Sequence, residues 1–183
     1  MINRQALLDD SKGLMRRLEA DLIARSHGPQ ALPEAVETLR EEYRKAKDAK
    51  RTAQNFEDWR TDYATQQAAA WMLSTVFVRF LEDNELVEPP RIAGPGDRLK
   101  HARDQHELYF RAHPTETDRE YLLHVFEQIG KLPGGREIFG RYNPVFEMPH
   151  WLSGDAAGEI LTFFQRIDAD TGALVHDFSD PDW

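Results

Sequence analysis

Arg40, Arg44, Lys47 and Arg51 fall at i, i+4, i+7 and i+11, a spacing that sets four cations on one helix face. Such a stripe suits phosphate oxygens, so these four are the candidate DNA-binding residues. Lys45 and Lys50 lie beside them. Glu37, Glu41, Glu42 and Asp48 sit among them, and a solvated face of mixed charge is the alternative reading. Arg79 stands four residues before Asp83, in the last turn of an apolar helix. The pair reads as a partly buried structural ion pair anchoring the helix end, with a functional role as the alternative.

Other chemistries lack their residue patterns. Seven histidines raise the question of a metal, but His101 and His106 are five apart and share no helix face. Asp97 and His101 do share one, yet no His-Glu-x-x-His pattern joins them. No Gly-x-Ser-x-Gly elbow supports a hydrolase triad. Gly94-Pro95-Gly96 and Gly134-Gly135 follow no strand-like run, so they read as turns rather than phosphate cradles. The chain has no cysteine, which excludes disulfides, thiolate zinc sites and a cysteine nucleophile. No catalytic, cofactor-binding or metal-ligating residue is read from these patterns.

The elements that must position the cations are helical. A first helix is expected over about 4–25, with Leu7, Leu8, Leu14, Met15, Leu18 and Leu22 in one stripe. A second, over about 34–50, carries Val36, Leu39 and Tyr43 on its apolar seam. The longest, about 56–84, is almost wholly apolar or small from Ala68 onward; it is placed at the centre and expected to be buried all round. Asn84 is read as its left-handed cap. Two more follow over about 97–112 and from the capping box of Thr117 and Glu120 to Gly130. Residues 131–154 read as an irregular Gly/Pro-rich segment whose Ile138, Phe139, Tyr142, Phe146, Met148 and Trp151 need burial. Ser153 caps a last helix, and 174–178 is a candidate extended tail. The expected fold is all-α: an irregular bundle of about six helices around the central one, as a single helical domain over 1–183 with a possible sub-boundary near 88–96.

Apolar residues make up 40% and charged residues 30% of the 183 positions, a balance expected of a soluble globular chain. The apolar run at 68–81 is too short to span a bilayer and contains Arg79, so no membrane association is expected. No signal peptide is read at the start, and a cytoplasmic location is expected. The net charge is −9 and unevenly spread. Residues 1–103 hold 17 Lys/Arg and 17 Asp/Glu, whereas 104–183 hold 6 and 15. An acidic half repels phosphate, so any contact with nucleic acid is expected from the N-terminal half.

Several motifs together resemble a known family. Val76-Phe77-Val78-Arg79-Phe80-Leu81-Glu82-Asp83-Asn84 is similar to the N-terminal helical region of large adenine-specific DNA methyltransferases. The segments 93–99 (Ala-Gly-Pro-Gly-Asp-Arg-Leu), 113–119 (His-Pro-Thr-Glu-Thr-Asp-Arg), Asn143-Pro144 and 174–181 (Leu-Val-His-Asp-Phe-Ser-Asp-Pro), with the opening Met-Ile-Asn-Arg-Gln-Ala-Leu-Leu, sharpen the likeness. In order and spacing they resemble the PglX family of the type 2 BREX (phage growth limitation) phage-defence systems. The resemblance implies a fragment of a longer protein that methylates adenine in DNA with S-adenosylmethionine as cofactor. Its cofactor and catalytic motifs are expected outside this chain, so no cofactor is expected here. Asn143-Pro144-Val145-Phe146 departs from the family's Asn-Pro-Pro-Phe/Tyr motif at Val145 and reads as a turn with a buried Phe146. The expected partners are DNA through the full-length protein, and other BREX components or phage proteins. The alternative function is a protein-interaction module docking through the acidic half.

Overall fold

The computed structural model describes residues 4–140 and 142–179. The parts of the quoted motifs at 1–3 and 180–183 lie outside the described residues. Among those described there are seven α-helices, two 3-10 turns and no strand, so the chain is all-α. The longest helix, α3 (Phe56–Asp83), begins where the Asn55 side chain accepts the Asp58 N–H, an N-cap worth about 1 kcal/mol. Around it pack α1 (Arg4–Ala24), α2 (Pro33–Asp48), α5 (Asp118–Gly130) and α7 (Gly154–Phe164). Leu14, Leu18 and Leu22 of α1 meet Ala64, Ala68 and Trp71 of α3; Phe126 of α5 and Ile160 of α7 join the same core. The small residues at 64 and 68 are what let α1 lie close to α3. Trp71 and Phe126 face each other with ring centroids 5.9 Å apart.

Helix α4 (Asp97–Ala112) buries only Leu99 and Ala102, while His106, Tyr109 and Phe110 lean on Tyr121 of α5. The capping box of α5 forms: the Thr117 N–H donates to Glu120 at 3.0 Å. Ser153 caps α7 by accepting the Ala156 N–H. A short helix, α6 (Gly135–Phe139), and the turns Pro144–Phe146 and Pro149–Trp151 give order to the irregular segment. Gly134 takes φ +78°, in the left-handed region open to glycine. At Gly135 an added Cβ would lie 2.1 Å from the Ile129 carbonyl oxygen. Gly135→Ala is therefore expected to lower stability by about 1–3 kcal/mol, read as a drop in the urea midpoint with the slope unchanged.

Several details correct the sequence reading. Helix α3 is not buried all round: Leu73 is 67% exposed. Leu73 borders a shallow groove shared with Ile138, Tyr142 and Pro144. Asn84 has φ −96°, and the left-handed residue is Glu85 at φ +56°. The Asn84 amide instead donates to the Phe80 and Phe178 carbonyls. Within 131–154, Phe139 and Trp151 are buried, but Tyr142 is 79% exposed and Ile138 is also exposed. After Asn143-Pro144 the buried residue is Val145, not Phe146, because the turn directs Val145 inward. The tail forms one isolated bridge, Ile167 to Leu174, rather than a strand.

Candidate nucleic-acid interface

Arg40, Arg44 and Lys47 stand on the exposed side of α2, whose opposite side buries Ala35, Leu39 and Ala46. Arg51 does not continue that face. The helix ends at Asp48, Lys50 turns to φ +55°, and the Arg51 N–H returns to the Ala46 carbonyl at 2.8 Å. The i+11 spacing is thus met in sequence but broken in space, and the expected four-residue helical stripe is corrected to three helical cations with a fourth on the following turn. Arg40 and Arg44 border a shallow groove whose rim also carries Glu37 and Glu41. Lys45 is engaged by Glu41 at 3.4 Å and by Glu42 at 2.8 Å. Arg44 and Arg51 have no carboxylate partner among the described residues.

An aromatic cluster stiffens this corner. The Arg40 guanidinium carbon lies 5.6 Å from the Phe56 ring centre, and that of Arg60 lies 5.8 Å from it. The Lys47 ammonium sits 5.5 Å from the Tyr43 ring and donates to the Ala53 carbonyl at 3.3 Å. Phe56, Trp59, Tyr63 and Trp151 follow one another with interplanar angles of 22–27°. The rings orient the exposed Arg40 and Lys47, and each of these two cation–π contacts is worth about 0.5–1 kcal/mol. Arg60 was not singled out by the sequence, because it lies off the α2 pattern; Phe56, four residues earlier on α3, was the available signal.

The second charged centre is the last turn of α3. The structure brings Arg79 and Asp83 together: the Arg79 Nη2 approaches Asp83 Oδ2 at 2.7 Å and Nε reaches Oδ1 at 3.2 Å, with both side chains fully buried. Arg79 also donates to the Phe164 carbonyl at 2.6 Å and the His176 carbonyl at 3.1 Å. Its guanidinium carbon lies 5.8 Å from the Phe164 ring centre and 5.4 Å from that of Phe178. Asp83 accepts the Phe178 N–H at 2.8 Å. Burial pushes the Asp83 carboxyl up, against the pull of Arg79. Beside it, buried Glu82 accepts the backbone N–H groups of Arg91, Ile92 and Ala93 at 2.6–3.1 Å. Burial raises its carboxyl to about 7, although those three donors and Arg79 favour the charged form. Glu82 thereby ties residues 91–93, and Arg79 with Asp83 ties His176 and Phe178, to one helix end. Arg79, Glu82 and Asp83 are all closed to solvent.

The histidines gather no metal set: among the described residues no group of three or more His, Cys, Asp or Glu converges. His106 Nε2 meets Asp118 Oδ1 at 2.7 Å, and His101 lies apart on the exposed side of α4. No helix among the described residues is long and apolar enough to cross a membrane.

No family model matches the chain, and no solved structure matches it. Among curated proteins it is 40% identical, over 183 residues, to the adenine-specific methyltransferase PglX of Streptomyces coelicolor. The match covers 99% of this chain and 15% of that protein's length. The chain is thus similar, over nearly all of its residues, to one part of an adenine-specific methyltransferase, PglX.

Proposed function

We propose that this chain is the N-terminal helical part, one domain over 1–183, of a longer adenine-specific DNA methyltransferase acting in a bacterial anti-phage defence system of the BREX type. The observation that supports this reading is the 40% identity to PglX along the whole chain. The part supplies scaffold and DNA contacts, and it carries no methyl-transfer step. The full-length protein uses S-adenosylmethionine, bound outside this chain, and works in the cytoplasm. Arg40, Arg44 and Lys47 on α2, with Arg51 on the turn after it, approach the phosphate backbone. The aromatic corner positions Arg40 and Lys47, and Arg44 and Arg51 have no carboxylate partner among the described residues, which favours the four over the engaged Lys45.

Reversing these four charges to glutamate in the full-length protein is expected to weaken DNA binding. The slope of log K against log salt should fall by about 3–4, since each lost phosphate contact removes about 0.9. Unchanged affinity and slope would remove these residues from the DNA-contact role. Unchanged adenine methylation after deletion of 1–183 would remove the accessory role itself.

A second reading is a module that docks another defence component or a phage protein through 104–183. The confinement of the net charge to that half favours it. Charge neutralisation of its exposed carboxylates would then reduce capture of that partner while leaving DNA affinity intact.

A further inference from the structure

Helix α3 carries Ala69, Leu73, Phe77 and Leu81 at i, i+4, i+8 and i+12, one continuous face. Phe77 and Leu81 are half-buried with one edge against the core, and Leu73 stands exposed between Ala69 and Phe77. Two adjoining grooves run along this face and share Phe77. One is bordered by Leu73, Ile138 and Pro144; the other by Leu81, Leu86 and Leu132. Leu73, Leu86, Leu132 and Ile138 are all exposed, with Leu86 at 62%. Glu137 is the one charged side chain bordering either groove among the described residues. A contiguous apolar face of this kind marks a docking surface rather than a scatter of single exposed residues.

What covers it follows from length and attachment. The chain matches 15% of PglX, so 85% of such a protein is joined covalently to this part. A tether of that kind raises the effective concentration of the attached polypeptide to about the millimolar range, ahead of any free partner. With Glu137 as their single charged border among the described residues, the grooves call for an apolar surface in return and disfavour a phosphate-bearing one. We propose that the α3 face from Leu73 to Leu81, with Leu86, Leu132 and Ile138, seats an apolar surface of the remaining polypeptide of the same molecule. This rests on the reading of the chain as part of a longer methyltransferase.

The test places the photoreactive residue p-benzoylphenylalanine at Leu73, and separately at Leu86, in the full-length protein. After irradiation, mass spectrometry of a mixture of isotopically light and heavy protein separates crosslinks within one molecule from those between molecules. The expected result is a crosslink within one molecule to a peptide outside 1–183, with a several-fold lower yield when Leu132→Asp is added. Crosslinks only between molecules, only within 1–183, or none at all would overturn the inference. Adenine methylation by the same preparations is measured in parallel. Methylation without the crosslink sinks the docking surface alone, and the crosslink without methylation sinks the functional reading alone.

Discussion

Arg79→Met is expected to lower stability by about 3–5 kcal/mol, the cost of leaving a buried carboxylate without its cation. Met nearly matches the length of the arginine stem, so little of the loss comes from an empty space. Asp83 keeps only the Phe178 N–H, and the carbonyls of Phe164 and His176 lose their donor. Urea unfolding followed by circular dichroism reads the change as a lower midpoint. The double variant Arg79→Met, Asp83→Leu should recover part of the loss, because the buried charge is gone. It should not recover all, since the two carbonyls and the Phe178 N–H stay unpaired. A loss below about 1 kcal/mol in the single variant would show that the helix end is open to water.

The second large effect is a pH dependence centred on Glu82. Its carboxyl is raised from an ordinary 4.5 to about 7 by burial. The folded chain then holds a proton there that the unfolded chain gives up between about pH 4.5 and 7. Stability from this group is fully present below about 4.5 and is lost as pH rises through about 7. The full span corresponds to about 3 kcal/mol. Asp83, also raised by burial, acts in the same sense. His124 and His176, both lowered by burial, act in the opposite sense, since the folded chain resists their protonation. Glu82→Gln isolates the first contribution: the variant's profile of unfolding free energy between pH 5 and 8 should be flatter than the parent's by about 3 kcal/mol. Equal slopes in the two proteins would place the titration elsewhere.

The helices were legible because each carries local signals. Periodic leucines mark α1, and Thr117 with Glu120 marks the start of α5. The i,i+4 spacing of Arg79 and Asp83 was equally visible. The role of Glu82 was not, because its partners are backbone N–H groups of residues 91–93, and backbone donors leave no trace in residue type. Leu73 misled for a related reason. Composition shows how apolar a helix is, but not whether a neighbour arrives to cover each side. Arg51 shows the limit of spacing: an i+11 position matters only while the helix continues, and α2 stops at Asp48. For the DNA-facing corner, the three cations on α2 were readable in advance. The contact of Arg40 with the Phe56 ring was not, since it depends on how α2 meets α3.

The first helix has most of its polar anchors at the far end of the chain. Asp10 pairs with Arg166, Arg17 with Glu159, and Asp21 accepts the Ser153 N–H. Trp151 donates its indole N–H to the Leu22 carbonyl. During synthesis α1 leaves the ribosome first and must wait for about 150 residues before these partners exist. Until then the stripe of Leu14, Leu18 and Leu22 lacks the α7 side of its packing, so α1 reaches its final seating only late in translation.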